Sequence, residues 1–407
     1  MSDDQAAMRS GSDPPRATFA VLIAGSVTIV VVLPLFLLGA LAVQMRVDLG
    51  LTVAALGLVV AGYRAFTAAI AIRIGRVVDR VGATLALRAA AGLSALSMVG
   101  IAIGSFSWVS LSLWLLLASA SFAVGQTSVN RYLSIEVPPE RRGFAFGLKQ
   151  SSVPVATLLA GAAVPAIALT VGWRWVFGLA GLLGVLVVLV IPSASSTRMA
   201  ASGAATSGPP PPSPPRGPIA LFALAFGLSM AGASPLGVFL VDHAVQVGYS
   251  PGPAGLLLSV GSIASIASRL LVGRAADRVG SGHLRWVAGM VGLGAVAYLL
   301  LATGNVLLVA VGTVFSFAFG WGFNGLFWFA VLRAYPDSPA AVTGRVMLGS
   351  LFGGLIGPLV FGFVAELASY GAAWVVAALF AAGGAAAMLA SDRLVARQAH
   401  EARGGDL

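Results

Sequence analysis

The chain has 407 residues, of which 58% are hydrophobic and only 9% charged, and its mean hydropathy is +0.96. A soluble protein carries roughly a quarter charged residues, so this composition excludes a water-facing globule. The net charge of +10 is not a nucleic-acid footprint, because the basic residues fall in alternate loops; with no cysteine, the chain has neither disulfides nor thiol metal sites.

Residues 1–17 form a polar leading tail with Asp3, Asp4, Asp13, Pro14 and Pro15. It lacks the basic-then-apolar order of a cleaved signal peptide. Apolar blocks follow at 18–43, 53–74, 84–105, 108–129, 144–168 and 173–193. Each is near the ~20 residues that a helix needs to cross ~30 Å of hydrocarbon. The blocks are apolar all round rather than alternating over ~10 residues, which argues against barrel strands. Without water, their backbone groups are satisfied only inside helices. Residues 194–217 are a Pro/Ser/Ala/Gly connector that cannot build a core. Six further blocks follow at 218–241, 253–272, 285–302, 305–331, 345–366 and 370–391, then a tail at 392–407.

Arginines cluster after the second block (Arg73, Arg76, Arg80), after the fourth (Arg131, Arg141, Arg142), after the eighth (Arg274, Arg278, Arg285) and in the tail (Arg393, Arg397, Arg403). The opposite side carries only Arg46 and Arg174. The positive-inside rule then places both termini in the cytoplasm of a multi-pass protein in the cytoplasmic (inner) membrane. Gly75 to Gly82, GRVVDRVG, is repeated 198 residues later as GRAADRVG at Gly273 to Gly280, with six of eight positions identical. Paired repeats of this kind mark carriers whose halves rock about a midplane site. The expected fold is an all-α integral membrane protein of twelve transmembrane helices in two pseudo-symmetric six-helix bundles, 18–193 and 218–391.

These motifs resemble the major facilitator superfamily, whose Gly-x-x-x-Asp-Arg-x-Gly loop follows span 2, with a weaker copy after span 8. Gly75, Asp79, Arg80 and Gly82 match it, as do Gly273, Asp277, Arg278 and Gly280. The run Gly172-Trp173-Arg174-Trp175-Val176-Phe177 and the Arg142-Gly143 entry into span 5 are also similar to the superfamily. The resemblance implies a monomeric transporter for a small molecule, without cofactor or metal. It also implies that the two loops latch the cytoplasmic side in one access state. Glycine permits a sharp turn there, and aspartate can cap a helix and pair with arginine. The basic run usual after the last glycine is replaced by Ala83 and Thr84.

Ionisable groups inside apolar spans are costly and mark function. Arg64 lies 11 residues before Gly75, ~16 Å along a helix. That is too deep for an easy snorkel. No acidic residue falls near the middle of a span: Asp48, Asp242 and Glu366 lie near outer ends, and Asp79, Glu136, Glu140, Asp277 and Asp337 lie in cytoplasmic loops. A deep guanidinium without a carboxylate invites an anionic ligand; binding to backbone carbonyls is the structural alternative. Arg269 is four residues before Gly273 and shares a helix face with Ser262 and Ser265.

The pair Arg64 and Arg269 resembles the nitrate/nitrite porter branch, which holds its anion between arginines on spans 2 and 8. Span 5 here reads Gly147-Leu148-Lys149-Gln150-Ser151-Ser152-Val153-Pro154, and span 11 has Gly353, Gly354, Gly357 and Pro358 without asparagine. Both depart from that branch, which favours a carboxylate over nitrate. Lys149 and Gln150 are further candidates to line the pathway, with Tyr63, Gln126, Asn130, Asn324 and Trp328; packing and helix-knitting are their alternatives. The expected activity is therefore secondary transport of a small organic anion by exchange or with protons, since a substrate carboxylate can carry the proton itself.

Two rivals stand within the same fold. A proton-coupled drug or metabolite exporter resembles the Gly–Asp–Arg loop but adds an arginine in span 4, absent from Leu117 to Gln126, and a Gly-Pro pair in span 5, where Val153-Pro154 stands. A non-transporting sensor is the other. Catalysis finds no convergent acid, base or nucleophile, since His243, His283 and His400 lie in loops or the tail.

Overall fold

The computed structural model describes residues 14–192, 216–278, 282–335 and 339–404. Most of the leading tail, the connector at 194–215, Gly280 and Asp337 lie outside the described residues. Among the described residues, twelve helices are long and apolar enough to cross a membrane: α1 Ala17–Ala40, α2 Val53–Val81, α3 Ala83–Gly104, α4 Trp108–Glu136, α5 Ala145–Val171, α6 Trp173–Val190, α7 Gly217–Gln246, α8 Pro251–Ala276, α9 His283–Ala302, α10 Val306–Ala334, α11 Val342–Leu367 and α12 Tyr370–Val395. No strand occurs among the described residues. The protein is a multi-pass, all-α membrane protein.

Connections are short because single residues make the turns. Gly82 at φ 86° alone separates α2 from α3, and Gly172 at φ 102° alone separates α5 from α6. Both are left-handed positions that a side chain would strain. Ser107 and Ser110 form a capping box that starts α4.

The chain clusters into two compact units that cut across four helices, α1, α2, α5 and, after its first residue, α6. Unit 1 comprises Met1–Pro34, Phe66–Ala156 and Arg174–Ala205; unit 2 comprises Leu35–Ala65, Thr157–Trp173 and Thr206–Leu407.

Unit 1 is knitted by hydroxyls and small residues, the usual glue where lipid gives no hydrophobic drive between helices. Pro34 has no N–H to bond the carbonyl four residues back. That carbonyl, of Val30, instead accepts from Ser94 Oγ of α3 at 2.8 Å. Ser121 Oγ donates to Ala90 O at 2.8 Å and Ser97 Oγ to Trp114 O at 2.7 Å, tying α3 to α4. Arg174 donates to Ala102 O and Ser105 O at 3.2 and 2.7 Å, satisfying orphan carbonyls at the end of α3.

Unit 2 packs α7 on α11 through Gly349, Gly353 and Gly357, where a Cβ would run into the backbone of Ala223, Gly227 and Ala231. An aromatic core follows: Phe239 stacks on Phe361 at 4.7 Å, and Trp374 lies edge-on to Phe361 at 4.7 Å and beside Tyr298 at 6.0 Å. At the end opposite the loop after α8, here termed the far face, segments of α1, α2 and α5 join this unit. Gly39 meets the backbone of Gly237, Gly57 lies on Pro358 and Gly362, and Gly161 lies on Gly255. Among the described residues, π-helical turns interrupt two spans, at Val164–Ala168 in α5 and Ser316–Trp321 in α10.

Candidate substrate site and gates

In unit 2, α2 carries Tyr63, fully buried, and Arg64, half-buried. The guanidinium carbon is 6.0 Å from the Tyr63 ring centroid, the outer limit of a cation–π contact. The Arg64 side chain lies over Gly354 of α11, its Nε 3.7 Å from where a Cβ would stand. A methyl at Gly354 would meet the arginine at ordinary contact distance, so only a larger side chain there would displace it.

On α8, Arg269 Nη2 donates to the carbonyl of Trp321 at 3.3 Å, and Asn324 Nδ2 reaches the same oxygen at 3.5 Å. Trp321 ends the π-helical turn of α10. Such a turn shifts the bonding register and frees carbonyls from the helix ladder. Two expected site residues, Arg269 and Asn324, are thus brought to one oxygen. Part of the hydrogen-bonding capacity of Arg269 is met by protein. Ser265, one turn earlier on α8, is buried with its Oγ without a hydrogen-bond partner. Trp328 lies edge-on to Phe226 at 5.2 Å. The Trp321 ring packs at 5.7 Å from Phe36 of α1.

In unit 1, Lys149 of α5 is buried and its Nζ donates to Gln126 Oε1 of α4 at 2.5 Å. Gln150, its neighbour, is half-buried.

The Gly–Asp–Arg loops differ from the sequence expectation in one respect. Gly75 and Gly273 were expected at sharp turns, yet the helices run on to Val81 and Arg278. Hydropathy ends each span where charge begins, but a helix continues into water with its backbone still bonded. Neither glycine has an atom within 4 Å of an added Cβ. The turn is made by Gly82 instead. Asp79 forms an ion pair with Arg131 of α4, and Arg80 is exposed. In the second copy Arg278 is exposed, while the Asp277 side chain and Gly280 lie outside the described residues.

Because the Asp79 side chain is 68% exposed, its pair is well screened and worth under ~1 kcal/mol of stability. Asp79→Asn is expected to leave the melting temperature unchanged while slowing uptake, if the pair acts in gating. A variant that melts early would make the residue structural.

Trp321 was not singled out from the sequence, and nothing in Ser316 to Trp321 announces a π-helical turn. The ion pair of Arg46 with Asp242 was likewise missed, its partners standing 196 residues apart.

Residues 18–337, more than half of the chain, match the family model for the Major Facilitator Superfamily. Solved structures with the same fold include a bacterial homolog to the human lysosomal transporter Spinster, inward-facing and occupied, with TM-score 0.73 at 16% identity over 94% of this chain and 98% of that chain. A D-xylose–proton symporter gives 0.70 at 16% identity over 90% and 97%. The nucleoside transporter NupG gives 0.67 at 16% identity over 92% and 98%. At such identity the likeness speaks for the fold alone. No curated protein matches the chain at comparable significance.

Proposed function

Because the chain belongs to the major facilitator superfamily, we propose that it carries a small organic anion, a carboxylate, across the cytoplasmic membrane by alternating access. The observation that carries this reading is Arg64, a guanidinium in the interior of an apolar span, seated over Gly354 and beside Tyr63. In a low-dielectric setting a fixed positive charge attracts an anion far more strongly than it does in water. Arg269, at the π-helical turn of α10, is the second cation of the pathway, with Ser265, Asn324 and Trp328 supplying polar or aromatic contacts. Lys149 and Gln150, in unit 1, are further candidate substrate contacts. The carrier works as a monomer with both termini in the cytoplasm, its bundles 18–193 and 218–391 joined by the connector at 194–217. Substrate moves by exchange or with a proton. Asp79, Arg80 and Gly82, with Gly75 and the second-copy residues Gly273, Asp277, Arg278 and Gly280, form the cytoplasmic latch.

The test is thermal melting of the purified carrier against a panel of carboxylates and their neutral amides, followed by counterflow in proteoliposomes with the best binder. A ligand at about 100 times its Kd stabilises by ~2.7 kcal/mol. Carboxylates are expected to raise the melting point and the matched amides to leave it alone. Stabilisation by amides, sugars or cations in place of acids would refute the anion reading and leave a carrier of another class.

A further inference from the structure

The serines of α8 are not alike. Ser262 Oγ donates to Leu258 O, one turn back on its own helix, at 2.8 Å. Ser265 and Ser268 are 1% and 7% exposed, yet their hydroxyls have no hydrogen-bond partner among the described residues. A serine within a helix ordinarily turns back to the carbonyl four residues earlier. These two are turned away from it, and a buried hydroxyl left so is costly.

What they face follows from their neighbours on α8. A Cβ on Gly261 would lie 2.5 Å from the Phe317 ring, and Ser268 Oγ lies 3.0 Å from where a Cβ on Gly322 would stand. Gly261 and Ser268 therefore both look onto α10. Ser265, four residues after the one and three before the other, lies on the same helix face. Arg269 is four residues beyond Ser265, so their side chains are neighbours, and its Nη2 reaches Trp321 O at 3.3 Å. Facing parts of α8 and α10, all within unit 2, thus assemble a guanidinium, two hydroxyls and a carbonyl at the end of the π-helical turn.

Each member has its own task. The guanidinium pairs with a carboxylate. Ser265 and Ser268 meet a second polar group close to that carboxylate, because the side chains stand within one turn of each other. Trp321 O decides what the group is, since a carbonyl only accepts and has two lone pairs. A ligand hydroxyl can give it a proton, whereas a keto oxygen would set lone pair against lone pair.

We infer, on the anion reading above, that this is the specificity subsite of the carrier and that its cargo is a 2-hydroxy carboxylate. Arg269 takes the carboxylate, Ser265 and Ser268 take the adjacent hydroxyl, and that hydroxyl's proton is directed at Trp321 O. Arg64 sets the charge of the cargo; this subsite sets its second group.

The full chain in detergent is titrated by thermal melting with short straight-chain carboxylic acids, their 2-hydroxy counterparts and their 2-oxo counterparts. The 2-hydroxy acid is expected to bind at least about tenfold more tightly than the unsubstituted acid of equal length, because a site built to pair a hydroxyl penalises the ligand that lacks it. The 2-oxo acid is expected to rank below the 2-hydroxy acid. With Ser265→Ala and Ser268→Ala together, the ligand-free protein should melt with the parent and the preference should fall to within about threefold, since no hydroxyl is left unpaired. The ranking in the parent needs no variant, so it decides the matter even where the double variant fails to fold. Equal binding of hydroxy and unsubstituted acids by the parent, a 2-oxo acid ranked first, or full preference kept by the folded double variant overturns the inference and leaves the carboxylate reading standing. Failure of every acid in the panel overturns both.

Discussion

Replacing Arg64 with alanine is expected to cut anion uptake by at least about 100-fold, ~2.7 kcal/mol at the binding step, while the protein still inserts and melts as a folded species. Arg64 lies ~16 Å along α2 from Val53 at 1.5 Å per residue, well inside the 29-residue helix. A charge there costs insertion energy, of order 2.5–3.5 kcal/mol at a helix centre, so its removal should ease insertion. Stability and function then move in opposite directions, which separates a ligand-binding arginine from a packing one. Arg64→Lys keeps the charge and loses the planar fork. Its uptake is expected to fall about tenfold, with the loss in KM if the fork binds substrate. Full uptake by the alanine variant would remove Arg64 from the mechanism and the anion proposal with it.

The spans were legible because hydrocarbon imposes one length and one composition on every crossing. What hydropathy could not locate was where helices stop. The second block was expected to end at residue 74 and the fourth at 129, yet α2 runs to Val81 and α4 to Glu136. In each case the extra turns carry charge and lie beyond the apolar stretch that defined the block. This moved Gly75 from a turn into a helix and left Gly82 to make the bend. Arg64 was legible as a site candidate because a lone charge in an apolar run stands out by type. Its place over Gly354 was not, since that neighbour is 290 positions away in sequence. Trp321 was hidden for a different reason. Its role rests on a backbone carbonyl freed by a π-helical turn, and no side-chain pattern encodes it. Arg46 and Asp242 were each visible as charges near an outer end, but pairing them required knowing that the far ends of α1 and α7 meet.

Gly353→Leu should cost more than ~3 kcal/mol and lower the melting temperature on the order of 10 °C, the largest stability loss expected from a single change here. A Cβ at Gly353 would collide with the carbonyl of Gly227 and lie 3.0 Å from Ala231 N. These are backbone atoms, so no rotamer change relieves the clash. Gly349 and Gly357, one turn to either side, are pressed as tightly on the backbone of Ala223 and Ala231. The helices α7 and α11 would have to separate along the whole row. Gly354, one position further on the same helix, makes the internal control. Its added Cβ would meet only the Arg64 side chain, at 3.7 to 4.0 Å, an ordinary contact distance. Gly354→Ala should therefore melt with the parent and leave uptake unchanged, since a Cβ at ordinary contact distance does not displace the guanidinium. Melting in detergent and counterflow in proteoliposomes read the two variants side by side. If both lose stability, α11 is simply intolerant of side chains on that stretch; if Gly354→Ala alone changes transport without changing the fold, the space over Gly354 belongs to the substrate path.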